Sequence, residues 1–301
     1  MDKVPASSTL ISGALGGPFV IYLCTPLRNA LTLGSQDRAS GFRLLLRKVF
    51  RGGSLAGWTG GAAPAVVACP QFLALGPIYH ALHGTFRSLA GVEGSGHVLL
   101  PSFFAAVGAG LCETCLTFGS QSRNAQMAYN NSFVSFSSVE DGSRIRVPLN
   151  KTYQPWGVGA GPMFARNAIS AVSVRTMSPW LRESTRTAQI SPSAHAVLCD
   201  VCCSVSVCTV TAPVHQLFNF MATTPQAARL PRQQRWKLAR EFLNKQYFTP
   251  LPRKSALELE QFSWKISPVA ARDFGMRTIY VTSVFTIYMF IERTLCAAMK
   301  S

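Results

Sequence analysis

Residues 24–30 read Cys24-Thr25-Pro26-Leu27-Arg28-Asn29-Ala30, and they overlap the end of an apolar run, 10–27, that holds no charged side chain. The stretch recurs. Gly119-Ser120-Gln121-Ser122-Arg123-Asn124-Ala125 repeats its Arg-Asn-Ala, and Thr211-Ala212-Pro213-Val214-His215 repeats its proline inside a further apolar run. Pro26, Gln121 and Pro213 stand at intervals of 95 and 92 residues. A tryptophan marks the second half of each interval: Trp58, Trp156 and Trp264, spaced by 98 and 108. Each is followed by a proline, Pro64, Pro162 and Pro268. The chain therefore divides into repeats at 1–96, 97–190 and 191–301, one supersecondary unit used three times.

The composition states which solvent these repeats meet. Of 301 residues (32.6 kDa), 48% are apolar and 14% charged, and the mean hydropathy is +0.19. Soluble domains carry roughly 25% charged residues, so a soluble enzyme with a hydrated surface is excluded. With 19 Phe and 5 Trp, a disordered chain is excluded too. Six apolar runs are long enough to cross a bilayer: 10–27, 52–86, 98–122, 152–181, 187–228 and 274–291. They are continuous, without the two-residue alternation of a membrane barrel, which predicts helices. The second and fifth exceed the length of a crossing and are expected to include loop as well as helix.

Charge sorts the connections into two kinds. Basic residues outnumber acidic ones 29 to 13, a net +16, which suits nucleic acid or anionic lipid; the apolar content favours lipid over nucleic acid. The odd-to-even connections hold Arg38, Arg43, Arg47, Lys48 and Arg51, then Arg144, Arg146 and Lys151, then eight Lys and Arg between Arg229 and Lys254. The even-to-odd connections are short and nearly neutral. Three basic loops thus share one side, and both termini the other. The first ten residues show neither an Arg-rich amphipathic pattern nor a signal-peptide n-region. Two glycosylation triplets, at Asn130 and Asn150, fall on the basic side and carry no weight.

Three pairs of apolar helices, each joined by a basic loop, resemble the mitochondrial carrier family over nearly the whole chain. Gly57-Trp58-Thr59-Gly60 is similar to that family's aromatic-x-Gly start of an even helix, and 42–50 to its short amphipathic matrix helix. Small-residue pairs, Gly13/Gly17, Ala106/Gly110 and Gly157/Gly161, suit close helix contacts. The resemblance implies an all-α membrane protein: six transmembrane helices in three pseudo-symmetric pairs with short matrix helices. It implies the mitochondrial inner membrane, with the basic loops in the matrix and both termini toward the intermembrane space. It also implies cardiolipin as a structural lipid, placed by Trp58, Gly60, Trp156 and Gly157.

The family's gate does not carry over. Its odd helices end in Pro-x-acidic-x-x-basic; here the acidic positions hold Arg28, Arg123 and His215, and the basic ones Leu31, Gln126 and Phe218. Facing one another, these would repel rather than lock. The second gate keeps only Arg182. The family's substrate-contact positions map onto Val67, Arg166 and Arg272. Two arginines in a bilayer either hold an anionic solute or pair with Glu113 and Asp200, the lone acids of the third and fifth runs. The nine cysteines include Cys112-x-x-Cys115, but they lie in apolar helical runs and read as small packing residues rather than metal ligands. No P-loop, dinucleotide, hydrolase or metalloprotease motif occurs, so no enzyme is expected. Two functions remain. One is an accessory subunit of an inner-membrane assembly, such as a respiratory-chain or ATP synthase complex; the other is a divergent carrier of a small anion. Loss of the signature pairs favours the first.

Overall fold

The computed structural model describes residues 12–91, 99–134, 145–185, 191–250 and 264–298. They form six helical rods. The first is broken: a π-helical turn, Ser12–Gly16, leads into α1 (Gly17–Leu23) and then α2 (Thr25–Gln36). Pro26 causes the break, because it has no N–H to donate one turn back. The adjoining carbonyl is recovered by a side chain, the Thr25 hydroxyl donating to Ile21 O at 3.1 Å. A short helix α3 (Phe42–Val49) and a 3-10 turn, Ser54–Trp58, lead to the second rod, α4 (Ala62–Leu89). The third is α5 (Leu99–Val134); the fourth is α6 (Ala160–Val172), a π turn (Ser173–Met177) and α7 (Ser178–Ser184). The fifth is α8 (Pro192–Thr223), followed by a 3-10 turn (Pro225–Ala228) and the amphipathic α9 (Arg232–Tyr247). A two-stranded antiparallel ribbon, β1 (Phe248–Pro250) with β2 (Trp264–Ile266), precedes the sixth rod, α10 (Pro268–Ala298).

Each rod packs on its neighbours in sequence and the last closes on the first: α1 on α4, α4 on α5, α5 on α6, α6 on α8, α8 on α10, and α10 on α1 and α2. Inside this ring α2, α5 and α8 also touch one another, so the odd rods converge at the end bearing the basic connections. One core cluster joins Val20, Leu31 and Leu33 of the first rod to Leu45 of α3 and to Met276 and Tyr280 of α10. A second joins Phe118, Met163 and Phe218 from the third, fourth and fifth rods. Outward faces carry large apolar side chains, among them Phe19, Leu100, Phe104, Val201 and Phe285.

Among the described residues, three helical stretches are long and apolar enough to cross a membrane: Ser54–Leu89, Leu99–Ser132 and Val197–Thr223. The first rod contributes a shorter apolar helix, Gly13–Leu23, and the fourth carries Arg166, Asn167 and Arg175. The second and fifth runs include turns as well as helix, at 52–61 and 224–228. Pro70 and Pro77 sit inside a continuous 28-residue helix, and α8 runs through Pro213 for 32 residues. The helix read at 42–50 is present as α3. In the second repeat the described connection, 145–159, is irregular rather than helical. Of the small-residue pairs, Ala106/Gly110 and Gly13/Gly17 mark close approaches: a Cβ on Gly110 would stand 2.8 Å from Ala168 Cα, and one on Gly17 2.4 Å from the Phe72 ring. Of Gly157/Gly161, Gly157 packs closely on Phe118 while Gly161 faces open space.

Candidate functional site

The convergent end of the odd rods is closed by amides together with the Arg272–Asp273 and Lys48–Asp37 ion pairs. Asn29 of α2 donates to Gly57 O at 2.9 Å and Thr59 O at 3.1 Å. Asn124 of α5 stands 95 positions later, at the same place in the repeat, and donates to Asn29 Oδ1 at 3.1 Å and Thr59 O at 3.2 Å. Equivalent side chains of two repeats therefore meet across the bundle. Gly60 permits this: its φ of +76° makes the turn, and a Cβ there would stand 2.9 Å from Asn124 Nδ2. Gln126 reaches Ala222 O at 3.2 Å, and Gln36 reaches Thr223 Oγ1 at 2.6 Å. Gln216 occupies the third-repeat equivalent of Asn29 and Asn124, fully buried.

The three residues at the family's acidic positions do not face one another. Arg123 points to the second-repeat connection and donates to Asn150 O at 3.0 Å. It belongs to a ladder along α5. Asn130 exchanges two hydrogen bonds with the Val147 backbone, Gln126 accepts from Asn150 N–H, and Ser122 accepts from the Asn150 amide. The i, i+4 spacing of 122, 126 and 130 lays these groups on one helix face, and they hold an extended segment that has no helix of its own. His215 Nδ1 lies 3.0 Å from Arg166 Nη1. A guanidinium only donates, so His215 accepts there and carries its proton on Nε2. Arg28 donates to Tyr280 Oη at 2.6 Å.

Above this closure lies a cavity of about 170 Å³ lined by Arg28, Arg166, Arg277, Glu113, Gln71 and Gln121, among others. Arg166 is held rigidly. Its Nε and Nη2 donate to Asn167 Oδ1 at 3.0 and 2.7 Å, and its Nη2 also to Gln121 Oε1 at 3.0 Å. Gln121 is the residue that replaces the repeat proline, and its side chain has become a ligand of Arg166. Glu113 accepts from Gln71 Nε2 at 2.8 Å. It shares the cavity with Arg166 without an ion pair between them among the described residues.

The other charge partners expected from sequence are exchanged. Asp200 pairs with Arg182 and accepts from Ser178, joining α7 to α8, so it is no partner of Arg272. Arg272 lies outside the cavity. It binds the carboxylate of Asp273 through Nε at 2.9 Å and Nη2 at 2.8 Å. It also donates to Gly34 O, Asp37 O and Ser40 O at 2.8, 2.7 and 2.8 Å, capping the carbonyls at the end of α2. Asp273 is fully buried, and its other oxygen accepts from Tyr247 Oη at 2.9 Å and Gln246 Nε2 at 3.2 Å. Burial, together with the Asp273 carboxylate, pushes the Tyr247 phenol far up, so it stays a neutral donor. Arg277, five residues beyond Arg272, lines the cavity in its stead, and Val67 is buried but does not line it.

Two of the positions read as lipid sites pack against aromatic neighbours. Trp58 meets Phe50 edge-on at 5.8 Å, and a Cβ on Gly157 would stand 2.8 Å from Phe118. Trp156 is 47% exposed and free to meet a lipid interface. The described cysteines are free thiols, with Cys199 Sγ 3.6 Å from His195 Nε2. Sequence reading missed Asn29, Asn124, Gln121 and Arg277. The first two lay in the matching Arg-Asn-Ala stretches, where the arginine drew attention and the amide beside it did not. No protein-family model matches this chain, and no curated protein matches it significantly.

Proposed function

We propose that this is a six-span helical bundle of the mitochondrial carrier type that no longer alternates between two open states and serves as a structural subunit of an inner-membrane assembly. The basic connections face the matrix, both termini face the intermembrane space, and cardiolipin seals the basic side. One observation carries the reading: the convergent end is held by neutral amides and by the buried Arg272–Asp273 clamp, not by a ring of opposite charges. An alternating gate needs a network at one end that forms as the other breaks. The only ion pair toward the opposite end among the described residues is Arg182–Asp200. Blue-native electrophoresis of gently solubilised inner membranes tests the proposal. The protein should run in a band far above its own mass of 32.6 kDa; a monomeric band would overturn it. Protease added to intact mitoplasts should spare residues 229–254, and cleavage there would overturn the orientation.

A second reading, a carrier of a small anion, is favoured by the cavity that Arg28, Arg166 and Arg277 share. Uptake of labelled anion by vesicles reconstituted with the purified protein separates the two.

A further inference from the structure

We infer that the strip 145–153, laid along the end of α5, docks an extended acidic segment of a neighbouring subunit. The inference rests on the proposed place in an assembly and names the surface through which the chain takes that place.

Depth decides what the strip can meet. The second-repeat connection runs back along α5. Val147 is held at Asn130, Asn150 at Gln126, and Gly157 against Phe118. Between them a Cβ on Gly119 would collide with Lys151 O and Gln154 N, so the strip lies directly on the helix. From residue 130 to residue 118 is about 18 Å of helix. A crossing takes about 20 residues, so α5, which starts at Leu99, leaves the hydrocarbon near Phe118. Trp156 stands at that level, where a tryptophan meets the lipid interface. The headgroup layer adds only about 5–8 Å on each side, so residues 145–149 stand beyond it.

There the strip carries three unlike kinds of spare capacity. Ile145, Leu149 and Tyr153 are 63%, 42% and 66% exposed on one fixed segment, which is more than scattered surface apolarity. Arg146 and Lys151 are exposed and have no ion pair among the described residues. The backbones of Val147 and Asn150 are tied to α5, whereas those of Ile145, Arg146 and Leu149 make no hydrogen bond among the described residues. The first and third repeats differ at the same end of the bundle. Their described connections carry the amphipathic helices α3 and α9, which satisfy their own backbones and suit a lipid surface. An extended segment with idle backbone groups suits a second extended chain, as when a strand adds to a free edge. The two cations select acidic residues in that chain, and the three apolar side chains select apolar ones between them. The ladder from α5 fixes the strip in advance, which lowers the ordering cost of docking.

The test uses inner membranes from cells whose only copy of the full chain is the variant. In Arg146→Glu/Lys151→Glu and in Ile145→Ser/Tyr153→Ser, the fraction of protein in the large blue-native band should fall at least about tenfold. Both variants, purified, should melt within about 2 °C of the wild type, because the replaced side chains are exposed. A second measurement needs no destabilising change. p-Benzoylphenylalanine placed at position 153 should on irradiation join a subunit of the same band, through a peptide carrying at least two Asp or Glu. If the wild type forms the large band and both variants keep it, the inference is overturned and the assembly reading stands. A photoproduct made only with lipid, or with a peptide lacking acids, overturns it in the same way. A wild type that runs as a monomer removes the assembly reading and the inference together.

Discussion

Replacing Asp273 by alanine tests the clamp that holds the convergent end shut. The carboxylate is fully buried and accepts from Arg272 twice, from Tyr247 and from Gln246. Without it the Arg272 side chain, 9% exposed, keeps its charge and its three backbone carbonyls but loses its counter-ion. Removing one partner of a buried pair costs about 3–5 kcal/mol. At roughly 2 °C per kcal/mol for a chain of this size, Tm of the purified protein should fall by about 6–10 °C. Tyr247→Phe removes one hydrogen bond to the carboxylate and should cost about 1.5–3 kcal/mol. Asp200→Ala is the control. Its pair with Arg182 is 25% and 38% exposed, so the loss should stay below about 1 kcal/mol. Thermal melts of the variants in one detergent, read by intrinsic fluorescence, decide the matter. If Asp273→Ala and Asp200→Ala melt alike, the clamp does not hold the bundle, and the reasoning that ties a static closure to it fails.

Further outcomes follow from particular residues. At Asp37, burial opposes the charged form, but hydrogen bonds from Lys48 and from the Ser40 hydroxyl and backbone outweigh it and hold the carboxyl at about 2. A depressed folded pKa contributes stability above the unfolded value of 3.8 that is lost as pH falls toward 2. The gap in stability between the wild type and Asp37→Asn should therefore be flat above about pH 4, near 2 kcal/mol, and close below it; a constant gap down to pH 2 would refute the assignment. Gly110→Val should lower Tm by several degrees because α5 and α6 meet backbone to backbone there, whereas Gly161→Ala should leave it unchanged. Equal melting of these two variants would show that the α5–α6 contact is not tight.

Periodicity and charge carried the coarse outline. The apolar runs became helices because their backbone groups can be satisfied within a helix whatever lies beside it. The repeat of Arg28-Asn29-Ala30 at Arg123-Asn124-Ala125 put equivalent positions on equivalent rods, and Asn29 and Asn124 duly meet. The functions of the polar residues in those rods were not legible. An arginine in an apolar run announces that it needs a partner, not which one. Arg166 found Asn167, Gln121 and His215, and Arg272 found its own sequence neighbour Asp273 and the end of α2. Each choice depends on rotation about a helix axis, which shifts by 100° per residue. Arg272 and Arg277, five residues apart, therefore lie about 140° apart around the helix and meet different partners.

What the sequence determined by itself is the helical class and the apolar character of the rods. These are sums over many residues, and no single contact alters them. What only the tertiary structure decided is the closure by amides, the exchange of Asp200 and Asp273 as counter-ions, and the meeting of Arg28, Arg166 and Arg277 at one cavity. Those depend on which of several buried polar groups lie within hydrogen-bond distance once six rods have closed into a ring. That distance is about 3 Å, smaller than the rise of a single helical turn, and no spacing along the chain resolves it.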